Sequence, residues 1–190
     1  LQKKIGISFK EDKLLIQALT HKSFDTKNNY EKLEFLGDRV LGFVISKKLL
    51  ELYPNEKVGM IDKKLANLVN KNKCFEIGKE LELDNYILTG NTEKKKKVNI
   101  EKKIISDCCE SLIGAIYIDK GFEVSSKFIL KYWKNYLNLS DITVIDSKTR
   151  LQEYSLKKFK ALPIYKLISN TGPRHKPNFK ISVKIKDSKT

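Results

Sequence analysis

Residues 29–46, NYEKLEFLGDRVLGFVIS, carry apolar and acidic residues at helical spacing. Placed on a wheel at roughly 100° per residue, they form one helix. Spacings of three and four bring Glu31, Glu34 and Asp38 into an arc of about 60°. Leu33, Leu36, Val40, Phe43 and Val44 are expected on the opposite side. One turn past Asp38 the acidic stripe runs into Leu41, Gly42 and Ile45. A solvated acidic face would end in polar residues, so this one is expected to look into the protein or a cleft. Three like charges there repel one another and are costly to bury. A cation is needed, and a divalent metal ion is the simplest one. The helix is expected to run through residues 49–52 and to stop near Tyr53, because Pro54 breaks helix at its own position and disfavours it before.

A second stretch makes the same demand. Residues 100–119, IEKKIISDCCESLIGAIYID, place apolar side chains on nearly every side of a helix, the pattern of a buried one. Asp107 and Glu110 sit inside it at i, i+3, with Gly114 on the same face. A pair of ion pairs to lysine or arginine, of which the chain has many, would account for these two acids. A shared metal site accounts for the inward acids of both helices at once.

Around these two helices the chain reads as follows. Residues 13–20 have helical periodicity, and His21 beside that helix end reads as a cap or core contact. DKKLANLV (62–69) and residues 74–81 are amphipathic helices, and residues 89–97 read as a lysine-rich loop. Gly121 ends the buried helix, and residues 124–137 form another, with Phe128, Tyr132, Trp133 and Tyr136 structural. After a linker at 138–147 comes a short helix at 149–159. Alternating segments at 164–168 and 179–185 then read as strands joined by a turn-rich 170–178. That α-β-β order marks a second unit after an all-α first one.

Composition narrows the function. With 38 Lys and Arg against 23 Asp and Glu in 190 residues, the net charge of +15 points to a polyanionic partner, nucleic acid first. Cys74, Cys108 and Cys109 form no disulfide framework and no CxxC zinc motif. They read as buried thiols in a reducing compartment. No apolar run approaches the ~18 residues of a membrane span, so the expected setting is the cytoplasm, with no membrane partner.

ALTHKS (18–23), NYEKLEFLGDRVLG (29–42) and SDCCESLIGAIYID (106–119) together resemble the ribonuclease III family, in the right order over roughly residues 1–137. DSKTRLQEY (146–154), LPIYKLIS (162–169) and TGPRHKPNF (171–179) resemble the start of a double-stranded-RNA-binding domain. The resemblance implies an all-α ribonuclease III-like catalytic domain at 1–140 and a small α+β RNA-binding domain at 146–190. The second domain is expected to be incomplete, since the family's remaining strand and second helix would follow Thr190.

By position, the resemblance places metal ligands at Glu34, Asp38, Asp107 and Glu110. Catalytic roles fall on Asp38, Glu110 and Glu31, the last near the RNA and the cleavage site. Phe35 matches a residue that packs into the partner subunit of a homodimer. Gln152 and Glu153 match a helix facing one minor groove of the RNA, and His175 matches a residue entering the next. One departure concerns an accessory acid: the family's Glu immediately before the glycine that opens the DKKLANLV unit, here Gly59, is Val58 in this chain, with Glu56 two residues earlier. This bears on a second metal ion and leaves the first unaffected.

The implied activity is metal-dependent endonucleolytic hydrolysis of double-stranded RNA to 5′-phosphate and 3′-hydroxyl ends, in processing of rRNA precursors and other structured transcripts. Mg²⁺ is the expected cofactor, with Mn²⁺ able to substitute, since hard cations prefer carboxylate and water oxygens. Two other readings compete. One is a non-catalytic double-stranded-RNA-binding protein on the same scaffold, for which buried unpaired acids would have no use. The other is a small-molecule metal phosphohydrolase, against which the GPRH loop (172–175) and the basic charge argue.

Overall fold

The computed structural model describes residues 1–90, 100–139, 147–173 and 177–185. Most of the loop expected at 89–97, the linker at 140–146 and His175 lie outside the described residues. Contacts divide the chain into two compact units, Leu1–Ile142 and Thr143–Thr190.

In the first unit every described regular element is helical. The elements are α1 (Gln2–Ile5), α2 (Asp12–Ala18), α3 (Glu31–Leu52), α4 (Val58–Leu68), α5 (Lys71–Glu80), a 3-10 turn at Leu83–Asn85, and α6 (Lys102–Leu139). Helix α3 ends before Pro54 as expected, with Tyr53 at its C-cap. Its buried stripe is Leu33, Gly37, Val40, Leu41, Val44, Ile45 and Leu49. This differs from the apolar side read from the sequence. Phe43 is exposed and meets Phe122 edge-on, and Leu36 is only half-buried. The face that buries most completely is the one continuing the acidic stripe, with Leu41 and Ile45 at its centre. The inward direction of Glu34 therefore follows from where the core lies, while Glu31 and Asp38 remain partly exposed beside it.

Helix α6 is the other half of the core. Ile105, Cys108, Cys109, Leu112, Ile113, Ala115 and Ile116 are all buried, and Cys74, Cys108 and Cys109 are free thiols. At Gly121 the helix breaks, with φ 79° and ψ −177°, a conformation open to glycine because it lacks Cβ. Beyond the break, Phe128 and Trp133 are buried, and the Trp133 indole N–H donates to the Leu68 carbonyl at 2.8 Å. That bond satisfies a donor that burial would otherwise strand. Helix α4 begins at Val58, earlier than the amphipathic pattern shows, because its first turn is exposed and needs no apolar periodicity.

Helices α3 and α6 cross at backbone contact, and two glycines make that possible. A Cβ on Gly37 would collide with the Glu110 carbonyl, and one on Gly114 with the Leu33 carbonyl. This crossing places the acids of α3 beside those of α6.

The second unit holds α7 (Ser147–Phe159), β1 (Ile164–Thr171) and β2 (Asn178–Lys184). The strands pair antiparallel from Ile164↔Lys184 to Thr171↔Asn178, with an irregularity between Leu167 and Ser169. The ladder extends into residues the sequence presents as turn. Backbone pairing there needs no apolar side chains, so alternation could not reveal it. Helix α7 is followed by a bond from the Ser155 hydroxyl to the Ala161 carbonyl at 2.6 Å.

Candidate active site

The site grows from the start of α3. The Asn29 side-chain oxygen accepts from the Glu31 N–H at 3.1 Å, and the Tyr30 N–H donates to the Thr20 carbonyl at 3.0 Å. These bonds fix the first turn of α3 and hold Tyr30 inside, 3% exposed. From there Glu34 points toward α6, where Asp107 and Glu110 are 0% and 2% exposed. One carboxylate oxygen from each of Glu34, Asp107 and Glu110 can be chosen so that all three lie within 4.8 Å of one another.

Between them lies the ammonium of Lys71, the first residue of α5. Its Nζ donates to Glu34 at 2.9 Å, to Asp107 at 2.6 Å and to Glu110 at 2.8 Å. The start of α5 is fixed by Asn70, whose side-chain oxygen accepts from the N–H groups of Asn72 and Lys73. Asp107 also accepts from Lys103 Nζ at 2.7 Å, one helical turn away, and from the Tyr30 hydroxyl at 3.4 Å.

The two buried acids respond differently to this setting. Burial opposes the ionisation of Asp107, but its bonds to Lys103 and Lys71 outweigh burial and hold its carboxyl below the usual range. Burial also pushes Glu110 up, and there Lys71 does not fully offset it, while Asp38 nearby adds to the rise. One lysine against two accounts for the difference. Burial works against the charge of Lys71 as well, yet bonds to Asp107, Glu110 and Glu34 prevail and keep it protonated beyond the usual lysine range. Tyr30 is raised by burial and then by the charge of Asp107, so its hydroxyl remains a donor.

The other predicted residues divide into two groups. Asp38 stands outside the converging three and pairs with Arg39. It nevertheless lines the same open cleft, ≈ 420 Å³, with Glu31, Glu34, Phe35, Lys71 and Glu110. Glu31 pairs with Lys22 at 3.2 Å on the cleft's exposed side. Phe35 is 65% exposed, with the Arg39 guanidinium 4.8 Å from its ring centroid. Val58, in the place of the accessory acid, is 80% exposed. In the second unit Gln152 is half-buried on α7 and Glu153 is exposed.

Sequence reasoning missed Lys71, Lys103 and Tyr30. Lys103 had a readable signal, its i, i+4 spacing to Asp107. Lys71 had none, because its place depends on where α5 packs against α6.

The donor set suits a hard divalent cation. Three converging carboxylates already surround a cation in this structure, two of them buried, with a third acid-bearing turn at Asp38 on the cleft wall.

The chain was compared with known proteins. A family described as ribonuclease-III-like matches residues 11–137, and the double-stranded RNA binding motif matches residues 147–190. Ribonuclease 3 of Pelagibacter ubique is 62% identical over 189 residues, covering 100% of this chain and 85% of that protein. Ribonuclease 3 of Agrobacterium fabrum is 41% identical, covering 97% of this chain and 78% of that protein. Among solved structures, a nuclease domain of ribonuclease III from Campylobacter jejuni, described for flexibility in a region involved in dimer formation, superposes with a TM-score of 0.66. It is 34% identical and covers 72% of this chain and 96% of that one.

Proposed function

This chain is an endoribonuclease of the ribonuclease III family with a double-stranded-RNA-binding motif, and from that premise we propose how it works and on what. It hydrolyses phosphodiester bonds of double-stranded RNA to 5′-phosphate and 3′-hydroxyl ends, with Mg²⁺ or in its place Mn²⁺. Its substrates are rRNA precursors and other structured transcripts, and its setting is the cytoplasm. No described helix is long and apolar enough to cross a membrane.

The observation that carries this reading is the convergence of Glu34, Asp107 and Glu110 around one cation. Those three side chains, with Asp38 from the cleft wall, would hold the metal. When bound, it supplies Lewis acidity toward phosphoryl oxygens and water. The chain's own residues provide the rest. Tyr30 and Lys103 orient Asp107 by hydrogen bonds, as groups behind a metal ligand do. Glu31 stands at the exposed side of the cleft, toward incoming RNA. The apolar shell of α6 beneath Asp107 and Glu110 excludes water from their inner side.

In the second unit, Gln152 and Glu153 on α7 face one minor groove, and His175 enters the next. A-form RNA hides its sequence in a deep major groove, so such contacts read shape, 2′-hydroxyls and phosphates. Phe35 anchors a homodimer. Its exposure supports this, since large aromatics in partner pockets are frequent interface anchors.

The test is incubation with long duplex RNA and Mg²⁺, with EDTA as control. Cleavage that depends on the ion and spares single strands is expected. Duplex affinity should also fall steeply with salt, because neutralised phosphates release counterions. Duplex binding without any cleavage would favour the non-catalytic alternative.

A further inference from the structure

The lysine inside the acid cluster has a consequence for how the site is loaded. Lys71 Nζ lies 2.6–2.9 Å from oxygens of Glu34, Asp107 and Glu110. These are the residues assigned to the metal under the reading above, on which this inference rests. A magnesium-sized ion needs its oxygen ligands at about 2.0–2.1 Å. An ion bonded to these carboxylates would sit inside the same triangle of oxygens and repel the ammonium at close range. The two cations are therefore alternative occupants of one place.

Exchange needs little of the fold to move. The Lys71 side chain is 52% exposed although its tip is inside the cluster, and a lysine reaches on a flexible four-carbon stem. Its backbone is fixed by the Asn70 cap. Rotation about the side-chain bonds would take the ammonium out of the triangle without moving backbone, and Lys71 already lines the cleft shared with Asp38 and Arg39. A duplex approaching that cleft presents phosphates. Ahead of loading, the acids would repel those phosphates, and Lys71 cancels one negative charge.

We propose that Lys71 is a displaceable cation. It holds Glu34, Asp107 and Glu110 together in the ion-free protein, gives way when the divalent ion enters, and then offers its ammonium to an RNA phosphate at the cleft mouth. Lys71 is thus a positioning residue that exchanges one anionic partner for another. By linkage, ion and duplex each strengthen the other's binding, and part of that coupling passes through this side chain.

Two measurements on the full chain without RNA test this. In the first, Mn²⁺ is titrated into wild type and Lys71→Gln, and free ion is followed by its paramagnetic resonance. Removing the competitor should tighten ion binding by about fivefold or more, the lower end of ordinary coupling between sites. In the second, wild type is acylated on its lysines, with labelling read peptide by peptide as Mn²⁺ rises. Lys71 labelling should climb several-fold and saturate with the ion, while lysines on the far surface stay constant. The second measurement needs no variant and so does not depend on how Lys71→Gln folds. Bound Mn²⁺ with unchanged Lys71 labelling, or equal or weaker ion binding in Lys71→Gln, overturns the inference and leaves the ion site standing. Absence of bound Mn²⁺ in wild type and variant alike overturns the ion site and the inference with it.

Discussion

Helices α3 and α6 bring acids to one cluster from opposite conditions. On α6, Asp107 and Glu110 are almost without solvent, in a helix apolar on nearly every side. On α3, Glu34 is half-buried, Asp38 lies beside Arg39, and Glu31 faces outward with Lys22. A carboxylate kept in water costs the fold little. One removed from water is tolerated only with a cation at hand. The α6 acids therefore make the cation obligatory, and the α3 acids decide where it is reached from solvent. Substitutions of these acids should therefore hurt in order of burial.

The largest effect is expected where the two helices touch. Gly37→Ala puts a methyl group into the Glu110 carbonyl, and backbone cannot yield as a flexible side chain would. Overpacking typically costs about 1–3 kcal/mol, and rigid backbone in the way puts this site at the upper end, which lowers Tm by roughly 6–12 °C in a protein of this size. Cleavage should vanish, since Glu34 and Glu110 no longer meet. Calorimetry and a cleavage assay check both. A Gly37→Ala protein with wild-type Tm and rate would mean that the crossing is looser than described.

Next comes the buried acid itself. Glu110→Gln keeps the shape and removes a charge that burial already disfavours. Cleavage should fall beyond the ~10–100-fold typical of groups that only support a ligand. Melting temperature without added ions should hold or rise, and duplex affinity should hold. A structural ion-pair role predicts the opposite: lower Tm, with cleavage reduced only in proportion. Cleavage rate across a Mg²⁺ titration, beside melting curves, separates the two.

The same division explains what could be read from the chain alone. That α6 buries Asp107 and Glu110 and that α3 turns an acid toward them was legible because periodicity reports which side chains share a face. Of the α3 stripe, however, only Glu34 reaches the cluster, while Glu31 and Asp38 stay on the open cleft wall. Periodicity does not report how a face is shared between core and solvent. Hence Phe43, which counted as apolar side, lies exposed, and Leu41 and Ile45, which end the acidic stripe, form the centre of the core. Lys71 was illegible for a further reason. It reaches the acids from 36 residues away from Asp107, through packing of α5 that no local pattern encodes. Family resemblance did not supply it either, being carried by the acids and not by what neutralises them.

Phe35, one residue after Glu34, sharpens the contrast on the outer side of α3. It is exposed in the single chain, so its replacement should leave Tm of the isolated subunit little changed while weakening the dimer. Loss of a central aromatic anchor typically costs about 2 kcal/mol or more, or roughly 30-fold in dimer affinity. Mass in solution over a dilution series reads this directly. A Phe35→Ala protein that stays dimeric to the wild-type limit, or a wild type that is monomeric throughout, removes the interface role.

The smallest effect is expected at Glu31, and it is the sharpest discriminator because the resemblance gives Glu31 a catalytic role as it does Glu110. The structure separates them. Glu31 has a side chain 53% exposed and, among the described residues, pairs with the even more exposed Lys22. Exposed pairs of this kind contribute about 0–1 kcal/mol, so Glu31→Gln should not move Tm measurably. Its carboxylate is not among the three that converge, so ion affinity should be nearly unchanged. What remains is its place in the cleft wall, where it can orient water or RNA without holding a buried cation. A residue acting only at that distance should change the rate by less than about tenfold, the low end for supporting groups. The check is cleavage by Glu31→Gln and Glu110→Gln side by side, at low and at saturating Mg²⁺. Raising Mg²⁺ should leave the Glu31 variant's deficit unchanged, since ion occupancy is not what it lost, and should recover part of the Glu110 variant's. Equal deficits that recover together would show that exposure does not rank these acids, and that Glu31 closes on the ion when RNA is bound.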